Sequence, residues 1–203
     1  MKLYDAPRTP NPRRVRIFLH EKGISVPAEH LDLADGDHRA AQYRRLNPYG
    51  LVPTLVLDSG EAISESIAIC RYFEALHPEP ALFGAGALDI ARVEMWNRRM
   101  EFHLYQPVAH AFRHLHPGMK DFEVPQVAEW GEANKPRVLA TLRLLDGELA
   151  GREFIAGDRF TVADITALVA IDFLKPARIA VPEELGHLAR WYAAVSARPS
   201  AAA

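Results

Sequence analysis

The chain has 203 residues, 49% hydrophobic and 25% charged, with a formal net charge of −2. That length suits one large domain or two small ones, and the apolar content is ample for a core. The charge balance excludes the basic surplus of a nucleic-acid binder, and a single cysteine excludes an internal disulfide framework. The start, Met1 to Pro7, lacks the apolar core of a signal peptide. The longest apolar run, residues 165–174, is too short to span a bilayer and contains Asp172. A soluble, cytoplasmic protein with no membrane or nucleic-acid partner is expected.

In chain order, Lys2-Leu3-Tyr4 reads as a short strand ended by Asp5-Ala6-Pro7. The next helix is punctuated by Asn11 as N-cap, Pro12 at the first helical position and Gly23 as stop. Val15, Phe18, Leu19 and Lys22 share one face, with the lysine stem able to snorkel. The clusters Arg13-Arg14-Val15-Arg16 and Arg44-Arg45 read as solvated faces or carboxylate contacts. A second strand is expected over residues 26–33, a polar loop at Asp35 to Arg39, and a short helix over 40–46.

The stretch from Leu46 to Ser66 is the focus of the chain. Pro48-Tyr49-Gly50 is turn chemistry, and Pro53 opens a β-branched run. After the polar turn Asp58-Ser59-Gly60 come a second short strand and a helix opening near Ser64-Glu65-Ser66. Strands tolerate proline only at a start or an edge. A cis Val52-Pro53 bond would make a tight corner that leaves the Val52 N–H and C=O free for an extended peptide. The helix start that follows offers free N–H groups and a Glu-Ser pair, a seat for a ligand with carboxylate and ammonium groups together. The two features describe a site for a small peptide.

Val-Pro followed by Glu-Ser resembles the cytosolic glutathione S-transferase family, in which this pair holds glutathione. The likeness extends over essentially the whole chain. The order βαβ then ββα, ending in a helix over 65–76, matches a thioredoxin-like domain. His77-Pro78-Glu79-Pro80 and Phe83-Gly84-Ala85-Gly86 read as an interdomain linker. Beyond Leu88 only helical periods occur. Val93, Trp96, Met100, Leu104, Val108 and Phe112 form one stripe; Val127, Trp130, Val138, Leu142, Leu145 and Leu149 form another, which Pro136 would kink or split. Thr161-Val162-Ala163-Asp164 is a capping-box variant opening a helix over 162–174, with Phe160 as staple. The segment from Phe154 into this box resembles the helical-domain capping segment of the same family. A last helix is expected over 183–197. The fold class is therefore α/β plus all-α: a thioredoxin-like domain over 1–78, a linker over 79–87, and an all-helical glutathione-transferase C-terminal domain over 88–203.

Redox-active thioredoxin-like domains place Cys-x-x-Cys at the start of the first helix, and here Arg8 to Arg13 holds no sulfur. Cys70, among Ile67, Ala68, Ile69 and Phe73, reads as a buried spacer. The thiol must come with the ligand, and glutathione carries one. Lowering a thiol pKa from about 8.5 to about 6.5 takes roughly 2.7 kcal/mol of anion stabilisation. A helix N-terminus gives about 0.3–1 kcal/mol, up to about 2 when partly buried. One charge-assisted hydrogen bond adds about 1.5–3 kcal/mol and closes the gap. The Asn11 amide and the Thr9 hydroxyl are the donors at hand.

Thr9-Pro10-Asn11 resembles the bacterial nu-class and yeast Ure2p-like members, whose threonine and asparagine face the glutathione sulfur. The resemblance implies Asn11 and Thr9 as the catalytic pair, with Asn11 as a plain N-cap the competing reading. It also implies that His38 and Arg39 approach the glycine carboxylate, that Val52, with Pro53 at the corner, pairs with the cysteinyl backbone, and that Glu65 and Ser66 hold the γ-glutamyl end. Leu51 stands where the family commonly has Lys or Gln, so the glycine end would be held more loosely or by Arg39 or Arg13. Of the polar residues beside the stripe, Arg99 and His103 are candidate pocket residues only. His110 and His114 lack the glutamate of a His-Glu-x-x-His zinc site and read as a partly exposed helix face.

The expected activity is a glutathione transferase acting on small electrophiles or disulfides, with glutathione as co-substrate and no metal. The nu-class likeness points toward disulfide reduction through mixed disulfides, and peroxides are a related target. The alternative is a non-catalytic module that binds glutathione or sequesters ligands. Family likeness implies a homodimer and a small hydrophobic or disulfide second substrate.

Overall fold

A computed structural model describes all 203 residues. The chain divides into two compact units, one of Met1–Leu82 with Pro199–Ala203 and one of Phe83–Arg198.

In the first unit, β1 (Lys2–Asp5), α1 (Pro10–Glu21) and β2 (Ala28–His30) form a βαβ turn. A 3-10 turn (Asp37–Arg39) and α2 (Ala41–Leu46) lead to β3 (Thr54–Val56), β4 (Ala62–Ser64) and α3 (Ser66–Leu76). The sheet order is β2-β1-β3-β4, with β2 parallel to β1 and the other two pairings antiparallel. This is the thioredoxin-like domain. β2 is shorter than the pattern suggested, and all three of its residues are exposed, as suits an edge strand. α1 packs against α3, and Val15, Ile17, Phe18, Leu55, Ile69 and Cys70 form a dry core between helices and sheet.

Three details of α1 differ from the sequence expectation. Its N-cap is Thr9, so Pro10 takes the first helical position and Asn11 lies inside the first turn. Proline fits the first position as well as residue 12 would, and the strand-like backbone of Thr9 moves the cap two residues back. Arg14 is buried rather than solvated, and Arg16 does meet a carboxylate, that of Asp5. Lys22 does not snorkel: its side chain is fully buried, with Nζ donating to the carbonyls of His77 (2.7 Å) and Pro80 (2.6 Å) beside Glu74. The final 3-10 turn, Pro199–Ala202, returns to α1, where Arg13 donates to the Ala201 carbonyl at 2.8 Å and Ser200 bonds Glu21.

In the second unit, α4 (Ala87–Arg99), a π-helical segment (Met100–Tyr105) and α5 (Gln106–Leu115) run on as one helix. Val93, Trp96, Met100, Leu104 and Val108 are at most 3% exposed, as their stripe predicts, and Phe112 is half-buried. Steps of four residues overshoot an α-helical turn by about 40° each. The wider π segment absorbs that drift and holds the stripe on one face. α6 (Ala128–Leu149) passes unbroken through Pro136. Val138, Leu142, Leu145 and Leu149 are buried, but Val127 and Trp130 are about 40% exposed and leave the stripe. Gly131 and Asn134 take the buried positions instead; a Cβ on Gly131 would meet the Leu115 side chain at 2.6 Å, so glycine lets α5 and α6 approach. α7 (Val162–Asp172) is buried on every side from Val162 to Ile171 and forms the centre of this unit. α8 (Gly186–Ser196) closes it against α6 and α7. No helix is long and apolar enough to cross a membrane.

Candidate functional site

The sheet register gathers the site at one end of the first unit. Tyr4 pairs with Thr54, Thr54 with Ser64, and Asp5 with His30. The C-terminal ends of β1, β2 and β4 and the start of β3 therefore lie in one row. Out of that row come the loop to α1, the segment bearing His38 and Arg39, the Val52-Pro53 corner, and the start of α3. Ligand crevices in α/β sheets form outside such strand ends.

The Val52-Pro53 bond is cis, and neither the N–H nor the C=O of Val52 is bonded within the protein. The corner is held from behind. Leu51 C=O accepts from Tyr43 Oη at 2.5 Å and from Asn47 Nδ2 at 2.8 Å. Both side chains also bond Thr54 Oγ1, at 2.9 and 3.1 Å. Tyr43, Asn47 and Thr54 are all buried, and burial raises the Tyr43 phenol above its usual range against those hydrogen bonds. Such a satisfied buried network fixes one geometry. Sequence reasoning missed this clamp; its only local trace was Asn47 preceding a Pro-Tyr-Gly turn. Gly50 joins the clamp to the next element: it has φ +62°, and a Cβ there would lie 2.8 Å from the His38 carbonyl oxygen.

His38 is buried and accepts through Nε2 from Arg39 Nε at 3.3 Å, which requires the neutral ring. Burial pushes its pKa down, and the Arg39 guanidinium adds to this while Asp37 opposes it. Arg39 is exposed beside it.

The two helix starts are built differently. α3 begins at Ser66 with Glu65 as N-cap, held at φ +70°, a backbone region that non-glycine residues rarely occupy. The first intrahelical donor is Ile69, which bonds the Glu65 carbonyl, so the N–H groups of Ser66, Ile67 and Ala68 stay open. The Glu65 carboxylate is exposed with no partner, while the buried Ser66 Oγ accepts from Arg14 Nη1 at 3.2 Å. That bond ties the second turn of α1 to the first turn of α3.

α1 has two prolines in its first turn. Pro10 and Pro12 have no N–H, and Arg13 N bonds the Thr9 carbonyl at 3.2 Å, so Asn11 supplies the one open backbone donor. The Asn11 side chain is half-buried and bonds nothing in the protein. The Thr9 hydroxyl donates to Ala6 O at 2.6 Å and its N–H to the same carbonyl at 3.0 Å. Below them, Asp5 is fully buried and accepts twice from Arg16 Nη1, at 2.7 and 2.9 Å, while Arg16 Nη2 donates to Pro7 O at 2.9 Å. The loop that leads into α1 is thus pinned from both ends. Cys70 is buried, and burial pushes its thiol up to about 12, which keeps it out of thiolate chemistry.

In the second unit, Arg99 stacks over Trp96 at 4.7 Å and His103 is exposed. His110 and His114 stack at 6.2 Å, with Trp130 edge-on to His110 at 5.8 Å.

Residues 9–76 match the family Glutathione S-transferase, N-terminal domain, and residues 105–199 match Glutathione S-transferase, C-terminal domain. The chain is 37% identical over 203 residues to Glutathione S-transferase 2 of Saccharomyces cerevisiae, covering 98% of this chain and 87% of that one. The crystal structure of Gtt2 from Saccharomyces cerevisiae superposes with a TM-score of 0.93 at 37% identity, covering 98% of each chain. A glutathione S-transferase domain-containing protein from Marinobacter aquaeolei superposes with a TM-score of 0.95 at 41% identity, covering 98% of this chain and 99% of that one. With both domain families matched in order, and full-length relatives of the same architecture, this chain belongs to the glutathione S-transferase family.

Proposed function

We propose that the chain binds glutathione along the open end of its sheet and activates the thiol at the start of α1, for attack on small hydrophobic electrophiles or disulfides. The observation that carries this reading is the open Val52 backbone pair on the same strand-end row as two helix starts with unfilled donors. In it, Val52 and Pro53 dock the cysteinyl backbone, and the N–H groups of α3 with Glu65 and Ser66 take the γ-glutamyl carboxylate and ammonium. His38 and Arg39 face the glycine carboxylate. Asn11 carries the sulfur through its N–H and its amide. Thr9 fixes the cap, and its hydroxyl reaches the sulfur only by leaving Ala6.

Asn11→Ala is expected to lower kcat with a chlorodinitrobenzene-type electrophile about 10–100-fold, the worth of one charge-assisted hydrogen bond. Glutathione affinity by calorimetry should change little, and the pKa of the bound thiol, followed by thiolate ultraviolet absorbance, should rise. Equal losses of binding and turnover would reduce Asn11 to a structural part. Running a small disulfide beside the electrophile decides which chemistry dominates.

The absence of Tyr, Ser or Cys at the α1 start supports a second reading, a glutathione-binding or ligand-sequestering module without turnover. It predicts tight binding with no thiolate signal in the native protein. Pairing of two copies, as the family resemblance implies, is supported by the exposed Leu88, Met95 and Phe102 on the long helix.

A further inference from the structure

α1 carries a buried charge at a costly place. Arg14 is 1% exposed, among the largest fully buried side chains of the chain. Burying a guanidinium takes free energy that an apolar side chain of similar length does not. The helix beside it gains nothing from the charge either. Nη1 reaches Ser66 Oγ at 3.2 Å, in the first turn of α3, where the helix dipole opposes a cation. The Arg14 charge acts on the Cys70 thiol one turn further on, and Glu74, a turn beyond that, meets Lys22. The carboxylate next to Ser66 in the chain, that of Glu65, is exposed and turned away from this buried pair.

The Arg14 bond decides the direction of the Ser66 hydroxyl. A serine hydroxyl has one hydrogen to give and two lone pairs with which to accept, whereas arginine only donates. Oγ therefore accepts from Arg14, and its own hydrogen points elsewhere. Ser66 is only 6% exposed, yet no acceptor in the protein takes that hydrogen. It joins the open N–H groups of Ser66, Ile67 and Ala68 at the same helix start. Donors gathered over a buried cation suit one kind of group, an anion.

We propose that Arg14 is a positioning residue for the γ-glutamyl seat. It holds the Ser66 hydroxyl as a donor and sets a positive charge beneath the open start of α3, so that the seat selects a carboxylate although Arg14 does not touch the ligand. The inference rests on the glutathione reading above and adds to it the source of selectivity at one end of the peptide.

The probes are glutathione and 4-aminobutanoyl-cysteinyl-glycine, the same peptide with hydrogen in place of the γ-glutamyl carboxylate. Both are titrated into the full-length protein by calorimetry. The native protein should bind glutathione at least about tenfold more tightly, the worth of one charge-assisted hydrogen bond. Arg14→Met, which removes charge and donor, should erase most of that preference by weakening glutathione and leaving the other peptide within about twofold. Arg14→Lys, which restores both, should bring the preference back. Ser66→Ala should also shrink it, and its loss combined with that of Arg14→Met should be less than additive, because the two act through one hydroxyl. Equal weakening of both peptides with a lowered melting temperature would make Arg14 a structural part and overturn the proposal. Fully additive losses, or a preference that survives Arg14→Met, would overturn it too. Should Arg14→Met fail to fold, Arg14→Gln decides, since it donates to Ser66 without charge: an undiminished preference there and in Ser66→Ala overturns the proposal. A native protein that binds neither peptide would sink the glutathione reading itself, whereas native glutathione binding with an unaltered preference in the Arg14 variants sinks only this assignment.

Discussion

The cap regions at the starts of α7 and α3 are held in opposite ways. At α7 the buried Asp164 carboxylate accepts from Thr161 N (2.9 Å), Thr161 Oγ1 (3.1 Å), Ile155 N (2.8 Å) and Trp191 Nε1 (2.9 Å). At α3 the cap residue is twisted into a rare conformation, its carboxylate is unpartnered, and three N–H groups remain open. Helix-end groups that the fold does not satisfy are met by water or by a ligand. The cap of α7 is anchored by the fold; the exposed cap of α3 is the one that the proposed function assigns to the γ-glutamyl end of glutathione.

Breaking the anchored cap should have the largest effect. Asp164→Ala would leave four buried donors without this acceptor, each costing about 1–3 kcal/mol, and should lower unfolding free energy by about 4 kcal/mol or more. Urea denaturation measures this, and a loss below about 1 kcal/mol would show that the α7 start is not the anchor described. Glu65→Ala, at the open start, should stay within about 0.5 kcal/mol of native stability while raising the KM for glutathione.

The pH dependence sharpens the contrast. Burial raises the Asp164 carboxyl from 3.8 to about 6, against its four donors. The folded state then holds this proton where the unfolded chain has released it. The contribution of this group is fully present below about pH 4 and is lost as pH rises through about 6, by up to roughly 3 kcal/mol. Asp164→Asn should remove that slope from a stability profile between pH 4 and 7, and an unaltered slope would assign it to other groups.

The smallest effect belongs to the backbone of Glu65. Glu65→Gly should raise stability by about 1 kcal/mol by relieving the φ of +70°, yet weaken glutathione binding more than Glu65→Ala does, because the seat is no longer held. A variant that gains neither stability nor KM would mean the twist has no cost and no use.

What the sequence disclosed follows the same division. Val52-Pro53, Glu65-Ser66 and the Thr161/Asp164 box were legible because each is local chemistry within a few residues. The clamp of Tyr43, Asn47 and Thr54 was not, since nothing in residue spacing says that one carbonyl, that of Leu51, will receive two side chains. Asn11 was misplaced by two positions because either proline could open the helix, and the strand-like backbone of Thr9 decided it. Lys22 was read as solvent-facing because its acceptors, His77 and Pro80, lie more than fifty residues away in the chain. The return of Pro199–Ala202 to α1 likewise has no signature in a short alanine-rich tail.

The paired prolines at positions 10 and 12 have a consequence for inhibitor chemistry. A helix mouth with one amide hydrogen and one carboxamide can grip a single soft atom, whereas the three parallel hydrogens of α3 can straddle both oxygens of an acid. Under the proposed function, compounds that place a lone sulfur or selenium at the first mouth and a carboxylate at the second are expected to compete with glutathione better than the reversed arrangement.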